Sequence, residues 1–259
     1  MSDARETTMS DDQLCGLAVV LDGSEHEVAA AHWAANWAEH SHHHLSLIEP
    51  RELVSAQTSY QRHRTRCLAD ELRCTHPGLT VDHRILDGGP DAVICRVSPR
   101  CTAMAVSRPS GYRHQAAPRL AVPQCPLVVV TDEPADTQTI SLLVDPRQTS
   151  YAPTAFAFAY AASCGSDLQA LLIGADSEHS PGEDAIRQLA ICYPSVTLRT
   201  SVLPSWGGVA DEVAGSQLVV VGSWTDRQGR HRIDHGFLVA QAMADVDSPV
   251  ALITHEPAA

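Results

Sequence analysis

The sequence predicts two tandem α/β lobes, each a doubly wound, five-stranded parallel sheet flanked by helices. Three observations carry that prediction: an internal repeat, apolar runs alternating with helical stretches, and a composition able to fill two cores. Leu17-Ala-Val-Val-Leu-Asp22 and Ser141-Leu-Leu-Val-Asp145 are apolar runs that end in aspartates 123 residues apart. Trp33 and Trp37 match Phe156 and Tyr160, Ala34 and Ala38 match Ala157 and Ala161, and Pro126 matches Pro249, all at offset 123. In between, His76-Pro-Gly-Leu-Thr-Val81 matches Tyr193-Pro-Ser-Val-Thr-Leu198 at offset 117, a slip that loop insertions explain.

The elements follow in order. In the first half, strands are expected near 15–21, 45–49, 79–86, 102–107 and 126–131, with helices near 25–40, 54–75, 90–98 and 113–121. In the second half, strands are expected near 139–144, 168–174, 196–203, 217–222 and 249–254, with helices near 151–164, 183–192, 207–214 and 235–245. Short continuous apolar runs suit parallel strands buried on both faces. Strands alternating with helices imply right-handed crossovers. The expected divisions are a flexible segment over 1–12, one domain over 13–135 and a second over 136–259. The last strands, Leu127–Thr131 and Val250–Thr254, are expected to pair and so remove two exposed edges.

Composition narrows the function. Of 259 residues, 44% are hydrophobic and 19% charged, enough apolar matter for real cores. The 18 basic residues are all arginine, and against 31 acidic residues they leave a net charge of −13. That balance argues against nucleic acid or anionic membrane as partner. Without lysine there is no Schiff base and no standard P-loop. Met1 to Gln13 lacks the pattern of a signal peptide, and no apolar run is long enough to span a bilayer, so a cytoplasmic location is expected. The eight cysteines form no C-x-x-C pair and are expected to be small buried hydrophobes.

A doubly wound sheet binds ligands beyond the carboxyl ends of its strands, where the strand order reverses. That places Asp22 and Ser107 at one crevice, and Asp145 and Gly222 at the other.

Val19-Val-Leu-Asp-Gly-Ser24, with the Ala/Trp-rich helix after it, resembles the opening of a universal stress protein domain. Gln217-Leu-Val-Val-Val-Gly-Ser223 resembles that family's fourth strand, Cys125-Pro-Leu-Val-Val-Val130 its closing strand, and Gly88-Gly-Pro-Asp-Ala92 its turn into the third helix. The resemblance covers nearly the whole chain, twice. It implies a tandem, Rossmann-like protein of the type common in actinobacteria, with strand order 3-2-1-4-5 in each half. It also implies association with stress responses and, in many members, dimers made through the last strand.

ATP-binding members of the family carry a Gly-x2-Gly-x9-Gly-(Ser/Thr) loop after strand four. Its glycines let backbone amides approach the phosphates, and its hydroxyl donates to them from a helix N-terminus. The resemblance therefore nominates Asp22, Gly23, Asp145, Gly222, Ser223 and Gly236 as nucleotide-contacting residues. This chain departs from the loop in both halves. Val106 stands where the first glycine belongs, and only 20 positions separate it from Pro126, against 27 between Gly222 and Pro249. In the second half Thr225 replaces the second glycine, Gly236 falls one place late, Phe237 replaces the hydroxyl, and Pro146-Arg147 follows the aspartate. Asp226 and Asp234 repel phosphate, while Arg227, Arg230 and Arg232 attract it.

Other residues carry plainer readings. Ser24 with Glu27 reads as a capping box. The aromatic pairs read as helix faces packed on the sheet. His40, His42, His43 and His44 lie in the turn after the first helix, where imidazoles also bind metal adventitiously; no metal site is assigned to them. No nucleophile–base pair stands out. The sequence therefore points to a non-catalytic regulatory or protein-interaction protein, with an unidentified protein partner or self-association. No cofactor is expected, save ATP held weakly in the second half. The alternative is a nucleotide-binding switch or slow ATPase using the second crevice.

Overall fold

The computed structural model describes residues 16–24, 26–56, 59–108, 123–131, 137–144, 151–174, 181–223, 242 and 246–254. The first half runs β1 (Leu17–Val20), α1 (Glu27–Ser41), β2 (Leu45–Pro50), α2 (Arg51–Ala56), α3 (Ser59–Thr75), β3 (Val81–Leu86), α4 (Pro90–Val97), β4 (Ala103–Ser107) and β5 (Leu127–Val130). The second runs β6 (Thr139–Val144), α5 (Ala152–Cys164), β7 (Asp167–Ile173), α6 (Pro181–Cys192), β8 (Leu198–Leu203), α7 (Val209–Val213), β9 (Leu218–Ser223) and β10 (Val250–Thr254).

The ten strands form one sheet in the order β3-β2-β1-β4-β5-β10-β9-β6-β7-β8. Each half contributes five parallel strands, and the halves join where β5 and β10 pair antiparallel, Val129 opposite Val250 and Leu127 opposite Leu252. The lobes are therefore not separate sheets. Pairing of the last strands, expected from the sequence, is itself a backbone ladder, and it fuses them. Because that ladder is antiparallel, the strands of one half run opposite to those of the other. The carboxyl ends of β1–β5 lie along one rim of the sheet and those of β6–β10 along the opposite rim.

One layer of core spans both halves. Leu17, Val19, Leu45 and Leu47 share it with Leu142, Val144, Leu168 and Leu172, beneath α1, α3, α5 and α6. On the other face lie two clusters, one around Val93, Ile94 and Val97 of α4, the other around Val209 and Val213 of α7 and reaching across the joint to Val129 of β5. Helices α1 and α5 meet across the joint. Trp33 stacks on Tyr160 at 5.9 Å, Trp37 lies 5.0 Å from Tyr160, and Trp37 meets Phe156 edge-on at 5.6 Å. The aromatic pairs matched by the repeat thus pack on each other as well as on the sheet.

The repeat also holds at single-residue level. His42 ends α1 in the left-handed conformation with φ 55°, and Gly165, 123 positions on, ends α5 with φ 65°. Two helices fill the span where one was expected over 54–75, because α2 begins directly after Pro50, whose fixed φ suits a helix entry. The expected 207–214 helix is a 3₁₀ turn over Trp206–Gly208 and then α7. The expected helices over 113–121 and 235–245 fall outside the described residues except at Ala242, which is helical.

Candidate functional site

The first crevice opens beyond the carboxyl ends of β1, β2 and β4. Asp22 follows β1, and Gly23 takes φ 77° to turn the chain away from the sheet. One oxygen of Asp22 accepts the Ser24 N–H at 2.9 Å, and the other accepts the Ser107 hydroxyl at 2.5 Å. Ser24 Oγ lies 3.4 Å from Ser107 Oγ and accepts the His26 N–H at 3.2 Å. Asp22 therefore ties the end of β1 to the end of β4.

Ser24 is not the cap of α1. The helix starts at Glu27, and the Glu27 carboxylate accepts the Gly23 N–H at 2.8 Å, so the reciprocal capping box gives way to a turn drawn tight over Asp22. Glu27 turns inward and is only 4% exposed. Arg64 of α3 reaches over it, with Nε 3.8 Å from the carboxylate and Nη2 donating to the Ser24 carbonyl at 3.1 Å. Glu49, near the end of β2, is equally buried and lies 3.1 Å from Nε2 of His83 on β3. Burial pushes the Glu27 carboxyl above the usual range, and the Asp22 and Glu49 carboxylates push the same way; the Gly23 amide and Arg64 oppose them. Sequence reasoning placed Asp22 and Ser107 at the crevice, read Ser24 as a helix cap, and missed Glu49, His83 and Arg64. The available signal was Glu49 itself, which breaks the apolar run of the second strand near its end, much as Asp22 ends the first.

The second crevice is described on one side only. Gly222 and Ser223 close β9, opposite Ile253 and Thr254 of β10. Asp145 and Gly236 lie outside the described residues, as do Thr225, Phe237 and the arginines between them.

The histidine run disperses. His40 Nδ1 lies 2.6 Å from the Asn36 carbonyl, His42 forms the left-handed cap, and the His43 N–H donates to the Ala38 carbonyl. His44 lies at the opposite rim from the first crevice, 3.2 Å from both Asp82 and Ser46. Among the described residues, no group of three or more His, Cys, Asp or Glu side chains could hold a metal. The cysteines depart from expectation. Among the described cysteines only Cys125 is buried, Cys101 and Cys164 are half-buried, and Cys67, Cys74, Cys95 and Cys192 are exposed, because α3, α4 and α6 present them on their outer faces. No helix among the described residues is long and apolar enough to cross a membrane.

The fold is that of solved universal stress protein structures. The chain superposes on a universal stress protein from Archaeoglobus fulgidus with a TM-score of 0.67 at 11% identity, covering 93% of this chain and 98% of that one. A protein described as a putative universal stress protein from Pseudomonas aeruginosa gives a TM-score of 0.65 at 15% identity, covering 94% of each chain. A functionally unknown protein from the same species, PA1789, gives 0.64 at 15% identity, again covering 94% of each. No protein-family model and no curated protein matches the chain. At these identities the likeness is one of architecture.

Proposed function

We propose that this chain is a universal-stress-type protein of regulatory, non-catalytic kind, acting in the cytoplasm through protein contacts and with its first nucleotide pocket lost. The observation that carries the reading is the shortened connection after β4 in the first half, where Val106 stands in place of the loop's first glycine. There the Ser107 hydroxyl at the end of β4 is already given to Asp22, and the Gly23 amide to Glu27. Shedding the water around a triphosphate is costly, and the stretch of 20 positions from Val106 to Pro126 supplies fewer amides to offset it. The shared fold supports the family reading, and the resemblance supplies the stress-response context.

Thermal unfolding with saturating Mg-ATP tests the proposal. A ligand at 100 times its Kd stabilises a fold by about 2.7 kcal/mol. The expected result is no shift, with no adenine nucleotide released from natively purified protein on mass spectrometry. A shift abolished by Gly222→Val would replace this reading with a nucleotide switch or slow ATPase in the second crevice.

A further inference from the structure

Cys101 and Cys125 meet at the amino-terminal ends of β4 and β5. Both pack in the same apolar cluster, with Met104, Leu127 and Val97. Ser98, itself buried, pins the two from either side: its carbonyl accepts the Cys101 N–H at 3.3 Å, and its hydroxyl accepts the N–H of Gln124, next to Cys125, at 3.0 Å. The parallel ladder opens with Met104 beside Leu127, and Cys101 and Cys125 stand three and two residues before that pair. Both side chains turn to the same face of the sheet, into that one cluster.

We propose that Cys101 and Cys125 form a reversible disulfide, a thiol latch that ties the start of β4 to the start of β5 when the protein meets a hydroperoxide. The half-buried Cys101 thiolate attacks one oxygen of hydrogen peroxide, the O–O bond breaks, the departing hydroxide takes a proton to become water, and Cys101 is left as a sulfenic acid. The Cys125 sulfur then attacks the Cys101 sulfur, the S–S bond forms, and a second water departs. Two thiols are oxidised and one hydroperoxide is reduced. Burial, with the Cys101 thiol beside it, pushes the Cys125 thiol up to about 12. That makes Cys125 the slow resolving partner and a poor leaving group, so the latch forms slowly and resists reduction.

Its position matters to the other half. Because β5 and β10 are antiparallel, the amino-terminal end of β5, which Cys125 precedes, lies on the same rim as the carboxyl end of β10, where Thr254 pairs with Ser223. The latch therefore sits on the rim where the second crevice opens.

The test is peptide mapping without reductant after incubation with hydrogen peroxide. The variant in which Cys67, Cys74, Cys95 and Cys192 are all serine removes the exposed competitors. The expected result is a Cys101–Cys125 linked peptide in both wild type and that variant, lost in Cys101→Ser and in Cys125→Ala, and reversed by dithiothreitol. Unfolding of the oxidised protein should be at least several-fold slower than of the reduced protein, with no such difference in Cys101→Ser. Oxidation that yields only sulfinic acid on Cys101, or only links through the exposed cysteines, would overturn the proposal.

Discussion

Trp37 bridges the two halves, and removing its ring tests whether they share one core. The indole sits 7% exposed, with Tyr160 at 5.0 Å, Trp33 at 5.5 Å and Phe156 at 5.6 Å. Truncating a buried aromatic to alanine costs about 3–5 kcal/mol. A whole domain holds only about 5–15 kcal/mol, so Trp37→Ala should strip a large share of the stability. Urea unfolding gives the loss directly. Milder Trp37→Leu and Tyr160→Leu variants then allow a double-mutant cycle, with a coupling of about 0.5–1.5 kcal/mol expected for a direct aromatic contact. Phe158 supplies the control. It is fully buried in α5 and stacks on Tyr193 within the second half at 5.7 Å, so its cycle with Trp37 should show no coupling. A Trp37–Tyr160 coupling near zero, or two separate unfolding transitions in wild type, would refute the shared core.

Three further outcomes follow from the geometry. Gly165→Ala should cost about 1 kcal/mol from the left-handed backbone alone, since a Cβ there meets nothing within 4 Å, while His42→Gly should be neutral or slightly stabilising; thermal unfolding of both reads this out. Ser107→Ala removes the hydroxyl donated to the Asp22 carboxylate and should cost about 1.5–3 kcal/mol in chemical denaturation. The pH dependence of stability should carry two opposite signatures. Ser46, Arg84 and His44 hold the Asp82 carboxyl below its ordinary value despite burial, so its stabilisation is present above about pH 3.9 and is lost as pH falls further; Asp82→Asn should blunt acid unfolding there. Glu27 is raised, so the unfolded chain ionises first and stability falls as pH climbs past about 4.3 towards the folded value. Glu27→Gln should flatten that decline, and a variant as steep as wild type would show that the carboxyl is not held protonated.

Much of the architecture was legible because repetition is a sequence property. Matched prolines before the last strands and matched apolar runs placed all ten strands, and the need to cover edges paired Leu127–Thr131 with Val250–Thr254. The site was half legible. Asp22 and Ser107 close strands, so alternation alone located them. Glu49 and His83 come together because β2 and β3 pair in parallel register, Leu47 beside His83 and Glu49 beside Ile85, a long-range fact that no local pattern contains. Glu27 was visible, but its spacing from Ser24 suited a cap equally well, and burial decided otherwise. The exposed cysteines were misread because residue type predicts average burial, whereas helix phase decides each thiol.

The antiparallel seam between β5 and β10 also governs how the molecule can change over time. It sets the carboxyl ends of the two halves' strands at opposite rims of the one sheet. The loops at those two rims can therefore diverge independently while the aromatic keel between α1 and α5 holds both halves to one core.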